Sequence, residues 1–131
     1  MSQTVTPFLM FTGNAAEALD CYVAAFADAG IDLIERYPPD EPGGEGRIKR
    51  AEFHLGELRL RCFDSPIEHA FTFTPAFSLF VDCADADELE DLFGKLSDGG
   101  GILMPPGDYG FSQRFCWIND RFGVSWQLNL P

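Results

Sequence analysis

The sequence predicts a single small α+β domain made of two β-α-β-β-β modules, whose curved mixed sheets pair around a groove. Three observations carry that expectation. The chain has 131 residues, about the amount that supports one well-filled core. Its apolar runs are short, as strands require, apart from two stretches with helical spacing. Those two stretches begin at the capping residues Asn14 and Asp85, 71 positions apart and so separated by just over half the chain. One repetition at that distance marks an internal duplication, with modules over 1–66 and 67–131, rather than a solenoid.

In order, Pro7-Phe8-Leu9-Met10-Phe11 is the first strand. Asn14 with Glu17 resembles a capping box. Ala15, Leu19, Tyr22 and Phe26 then form one helical stripe that ends near Gly30. Three strands follow, at Ile31 to Tyr37, Ile48 to Leu55 and Leu58 to Phe63, the last two joined at Gly56-Glu57. The Pro-, Gly- and acid-rich segment from Pro38 to Gly46 is a loop. Ser65 to Pro75 connects the modules, its Phe71-Thr72-Phe73 alternation offering a little extended structure.

The second module repeats the pattern. Phe77 to Val81 is a strand, Asp85 and Glu88 are the cap pair, and Leu89, Leu92, Phe93 and Leu96 are the stripe. Gly99-Gly100-Gly101 stops the helix. Strands near Ile102 to Met104, Phe111 to Ile118 and Val124 to Leu130 complete it, and Pro105 to Gly110 is a loop placed to act as a lid.

Charge and cysteine content narrow the function. The 21 Asp and Glu outnumber the 9 Lys and Arg, for a net charge of −12. Such a surface repels phosphate backbones and anionic lipid, so neither nucleic acid nor membrane is an expected partner. It suits a cationic ligand, although solubility alone explains it. No run approaches the length of a membrane-spanning helix, and the start lacks the basic and apolar regions of a secretory signal, so the cytoplasm is expected. Cys21, Cys62, Cys83 and Cys116 are widely spaced among apolar neighbours, which reads as free buried thiols in a reducing compartment.

Three sets of residues now resemble a known family: the opening Thr6-Pro7-Phe8-Leu9-Met10-Phe11, the helix sequence Ala18-Leu19-Asp20-Cys21-Tyr22, and the ending Asp120-Arg121-Phe122-Gly123-Val124-Ser125-Trp126-Gln127-Leu128. They are similar to the PhnB-like branch of the vicinal oxygen chelate superfamily, which includes glyoxalase I, extradiol dioxygenases, fosfomycin-resistance enzymes and bleomycin-binding proteins. Members of the branch are often labelled 3-demethylubiquinone-9 3-methyltransferase-like. The resemblance covers nearly the whole chain. It implies the glyoxalase/bleomycin resistance/dioxygenase-like fold and a homodimer.

The resemblance also implies metal-ligand positions on the first and last strands of each module. In this chain they fall on Pro7, Leu60, Ala76 and Gln127. Three of these have no side-chain donor, and a lone amide oxygen is only an auxiliary ligand. The expectation is therefore no metal and no cofactor. A nucleotide-cofactor loop is not expected either: one glycine, Gly13, follows the first strand, and Gly99 to Gly101 follows a helix.

The expected site is a groove that takes a small apolar or aromatic molecule. Leu9, Phe11, Leu58, Leu60, Cys62, Ser78, Phe80, Ser125 and Gln127 should alternate inward along its strands, with Trp117 or Trp126 stacking on a flat ligand. Phe11, Leu60, Cys62, Ser78, Phe80, Trp117 and Gln127 are the chosen ligand-binding set, with no catalytic residue assigned. Each has a plainer role open to it: core packing for the tryptophans, an inert thiol for Cys62, a buried amide for Gln127. Tyr109 and Arg114 flank the lid loop. The alternative is a glyoxalase- or dioxygenase-type metal enzyme with a rearranged site drawn from Glu52, His54, Asp64 or His69. A third option is a regulatory dimer whose groove is filled by its own phenylalanines.

Overall fold

The computed structural model describes residues 3–42, 44 and 46–131. It divides into two compact units, one up to Ala70 and one over Phe71–Pro131. The first unit runs β1 (Phe8–Phe11), α1 (Ala15–Ala25), β2 (Ala29–Arg36), β3 (Ile48–Leu55) and β4 (Leu58–Asp64). The second runs β5 (Ser78–Asp82), α2 (Ala86–Ser97), β6 (Gly101–Gly107), β7 (Arg114–Asn119) and β8 (Ser125–Leu130). Each unit is thus the expected β-α-β-β-β module, with a four-stranded sheet ordered β1-β4-β3-β2 or β5-β8-β7-β6. In each the first and last strands pair in parallel and the other pairs are antiparallel. No helix among the described residues is long and apolar enough to cross a membrane.

One face of each sheet lies under its helix. In the first unit Ala15, Ala18, Leu19, Tyr22 and Ala25 of α1 are buried together with Leu9, Phe11, Phe53, Leu60 and Cys62. In the second, Leu89, Leu92 and Leu96 of α2 are buried with Leu79, Cys116, Ile118, Trp126 and Leu128. Two details of the helices depart from the sequence reading. Helix α1 ends at Ala25, and Phe26 already has extended backbone. Gly30 instead lies inside β2, where an added Cβ would come within 2.9 Å of the His54 ring. A side chain there would require the His54 ring to shift. The Phe71-Thr72-Phe73 segment forms no strand.

The helix starts are held differently. Asp85 caps α2 as expected, its Oδ1 accepting from the Glu88 N–H at 2.8 Å. Asn14 makes no side-chain cap bond. Its place is taken by Asp64, at the far end of β4 and only 1% exposed. Asp64 Oδ1 accepts from the N–H groups of Gly13 (2.8 Å) and Ala15 (3.0 Å), and Oδ2 accepts from that of Ile48 (2.9 Å). One carboxylate therefore ties the β1–α1 turn to the start of β3, and the negative charge sits favourably at the positive end of the helix. The Tyr37 hydroxyl donates to the Asp64 carbonyl at 2.9 Å and closes the same corner.

The second unit uses Asp120 in a comparable way. Its Oδ1 accepts from Phe122 N–H (2.9 Å) and Val124 N–H (3.0 Å), and its Oδ2 from Trp126 Nε1 (2.9 Å). Gly123, at φ 94°, supplies the left-handed residue of that turn. The Asp120-to-Trp126 motif is thus a β-turn folded onto a buried carboxylate.

Removing the Asp64 carboxylate leaves the buried N–H groups of Ala15 and Ile48 without an acceptor, each costing about 1–3 kcal/mol, and frees the part-buried N–H of Gly13. Asp64→Ala should destabilise the protein by about 3 kcal/mol or more in urea unfolding, against about 1 kcal/mol for the exposed cap variant Asp85→Ala. Equal losses would show that the three bonds contribute no more than one cap.

Candidate binding face

The side chains singled out in the sequence separate onto different faces. Ser78, Phe80, Trp117 and Gln127 come together on the face of the second sheet that its helix leaves uncovered. Register sets this: Ser78 and Phe80 lie beside Ser125 and Gln127, and Gln127 lies opposite Trp117. Gln127 Nε2 donates to Ser78 Oγ at 2.7 Å, and Trp117 Nε1 donates to Ser125 Oγ at 2.8 Å. Both polar tips are thereby fixed in place, while the flanking rings keep their apolar surface.

Phe11, Leu60 and Cys62, expected to line the same groove, do not belong to it; nor does Leu9. All four are buried beneath α1. In the first unit the buried positions Leu9 and Phe11 stand five and three residues before the cap Asn14. In the second, Leu79 and Val81 stand six and four before Asp85. The one-residue difference inverts which side chains meet the helix. Cys62 is also no nucleophile: burial, reinforced by the Asp64 charge, pushes its thiol up to about 12. Trp126 is likewise a core residue.

Additional side chains join this uncovered face. Phe115 pairs with Asn129 across β7 and β8, and is only 3% exposed because Phe80, Tyr109 and Phe111 gather round it. Ring centroids are 6.3, 6.1 and 4.9 Å from that of Phe115, the last two approaches edge-on. Tyr109 donates its hydroxyl to the Pro105 carbonyl, which folds the 108–111 segment back on itself. β6 extends to Gly107, so the expected loop is shorter than its sequence suggested. Arg114 does not accompany Tyr109; it points to the helix side and pairs with Glu90 of α2. Asp82, Asn119 and Asn129 complete the face. Alternation by two from Trp117 and Gln127 was the signal that finds Phe115, Asn119 and Asn129.

The uncovered face of the first sheet is chemically different. Phe8 stacks on Phe63 at 5.1 Å beside a row of ion pairs. Glu52 and His54 share this face, as alternation predicts, yet they do not pair with each other. Glu52 pairs with Arg61 at 3.5 Å, and His54 Nδ1 meets Asp32 at 3.0 Å. His69 contacts Ser65 Oγ at 2.9 Å in the loop after β4, and Asp64 is committed to backbone. The proposed metal set is therefore dispersed, and no group of three or more His, Cys, Asp or Glu converges among the described residues. The positions that the fold family uses for a metal do not fit one. Leu60 faces the core, and a one-residue shift to the uncovered face brings Phe8 and Arg61, a ring and a cation.

This architecture, two β-α-β-β-β modules each with a mixed four-stranded sheet, is the fold of glyoxalase/bleomycin resistance/dioxygenase-like proteins. Among solved structures, a glyoxylase/bleomycin resistance protein/dioxygenase domain from Frankia shares the fold at 14% identity, with a TM-score of 0.64 over 99% of this chain and 92% of its own. Protein PA1353 of Pseudomonas aeruginosa is 27% identical, with a TM-score of 0.84 over 98% of each chain. A Bacillus cereus PhnB protein is 47% identical, with a TM-score of 0.96 over 98% of this chain and all of its own. The profile of the family described as 3-demethylubiquinone-9 3-methyltransferase matches residues 3–129, and the chain belongs to that PhnB-like family. No match was found among curated proteins.

Cys21 is partly exposed whereas Cys62, Cys83 and Cys116 are buried. Burial raises the Cys83 and Cys116 thiols to about 11 each. Raised folded-state values favour the native protein while the thiols are neutral. That contribution is complete below the ordinary value of 9.0 and is lost as pH climbs towards 11–12. Thermal melts should fall steeply across that window, and Ellman's reagent at pH 8 should label Cys21 ahead of the other three. Rapid native labelling of Cys62 would contradict the burial argument.

Proposed function

We propose that this protein binds a small apolar or aromatic molecule in a groove floored by the uncovered face of β5, β8 and β7, without a divalent metal. Ser78, Phe80, Trp117 and Gln127 are the binding residues. The observation that carries this reading is their convergence on one face, with the polar tips of Gln127 and Trp117 held by Ser78 and Ser125 and Phe80 left 56% exposed. A flat apolar molecule gains from such a surface by covering rings already oriented at low entropic cost. Gln127 supplies an amide oxygen for one directional bond.

The dispersal of Glu52, His54, Asp64 and His69 supports a metal-free site. The family description refers to methyl transfer, whereas the arrangement here favours binding. The resemblance also points to a homodimer, and the buried thiols of Cys62, Cys83 and Cys116 suit the cytoplasm.

The test uses 1-naphthalenemethanol as a neutral aromatic probe. It should quench the fluorescence of Trp117 with or without EDTA, and the response should vanish in Trp117→Phe, which retains Trp126. Phe80→Ala should weaken binding about tenfold, equivalent to about 1.4 kcal/mol. A response that needs added Mn²⁺ or Zn²⁺, or that persists without Trp117, would overturn the reading. Native mass spectrometry of the same sample should give a metal-free dimer.

A further inference from the structure

Beyond its apolar character, the uncovered face of the second sheet carries an acceptor pair at one end. Asp82 and Asn129 are register partners on β5 and β8, and Asn129 Nδ2 donates to Asp82 Oδ1 at 3.0 Å. That bond turns the Asn129 carbonyl oxygen away from Asp82. Asn129 is only 9% exposed, and its Oδ1 is buried with no hydrogen-bond partner. An amide oxygen in that state costs about 1–3 kcal/mol unless a donor reaches it. Asn129 lies directly opposite Phe115, and Asp82 is two residues from Phe80 on the same face of β5. Carboxylate, orphan carbonyl and aromatic rings therefore surround one spot, and every polar group there not already satisfied is an acceptor.

Resting on the binding reading above, we propose that the ligand is an aromatic molecule bearing a protonated amine or amidine. Its cationic nitrogen donates to Asp82 and to Asn129 Oδ1 and lies against Phe80, while its ring covers the Trp117–Gln127 region. An ammonium or amidinium brings several N–H donors and no acceptor, which is the complement of this pair. The aromatic faces add a cation–π attraction, and the net charge of −12 attracts such a molecule from a distance. An anionic aromatic would meet Asp82 with no donor to offset it. Because Asn129 Oδ1 is itself buried, reaching it requires a local shift of the side chains around it.

The experiment compares 1-naphthylmethylamine with its neutral isostere 1-naphthalenemethanol by isothermal titration at about 150 mM salt, where distant charges are screened. The amine should bind about tenfold more tightly. Asp82→Asn, an exposed substitution, should lower amine affinity to that of the alcohol, and Asn129→Leu should weaken the amine by a similar factor, both with native circular dichroism. Equal binding of the two compounds, or an amine preference that survives Asp82→Asn, overturns this inference and leaves the aromatic binding reading standing. Failure of both compounds to bind overturns both.

Discussion

The carboxylate of Asp64 is buried at the end of β4, 49 to 51 residues along the chain from the N–H groups it holds at the start of α1. A buried charge persists only where donors replace its water, and here three backbone N–H groups do so. Those bonds settle several matters together. They fix where the helix begins, keep the parallel pair β1–β4 in register, and dock β3 against the same corner. With register fixed, each sheet has one face committed to its helix and one left uncovered. Asp120 does the equivalent work in the second unit, pulling the Phe122–Val124 turn and the Trp126 ring onto one carboxylate. Trp126 is thereby held in the core, and its strand neighbours Ser125 and Gln127 are directed to the other face.

From that constraint the two uncovered faces diverge by chemistry alone. The first carries polar side chains that satisfy one another: Arg61 pairs with Glu52, Arg50 with Glu35, and the His54 ring is hydrogen-bonded with Asp32. The second carries rings, anchored polar tips and an acceptor without a donor. Paired ions on an exposed sheet contribute little and offer a ligand little. Oriented rings beside unsatisfied acceptors offer area and direction. That difference locates the binding proposal in the second unit.

The fold was legible because its signals are local. Short apolar runs, two caps and a glycine stop place ten elements with errors of a few residues, and the repeat distance reveals the duplication. Gly99 shows how local that information is, since its φ of 75° is the left-handed turn that ends a helix. The candidate site was legible only in part. Phe8-Leu9-Met10-Phe11 is apolar on both sides, so period-two alternation cannot indicate which residues meet the helix. Phe11 was placed wrongly for that reason. Leu60 and Cys62 alternate with Arg59 and Arg61, which marks one face of β4 as apolar without telling whether a helix or a ligand covers it. Gln127, by contrast, alternates with Trp126 and Leu128 on β8. Asp64 looked like a loose candidate ligand because its partners are distant in sequence. Asn14 looked like a cap because nothing nearby shows that a remote carboxylate has taken its role.

A titration of ¹⁵N-labelled protein with 1-naphthylmethylamine, followed residue by residue in amide spectra, tests the central claim most directly. The account predicts shifts confined to Ser78–Asp82, Phe115–Asn119 and Ser125–Asn129, with the Asn129 side-chain amide among the largest. Shifts centred on Arg50–His54 and Arg59–Phe63, leaving β5 and β8 unmoved, would contradict it.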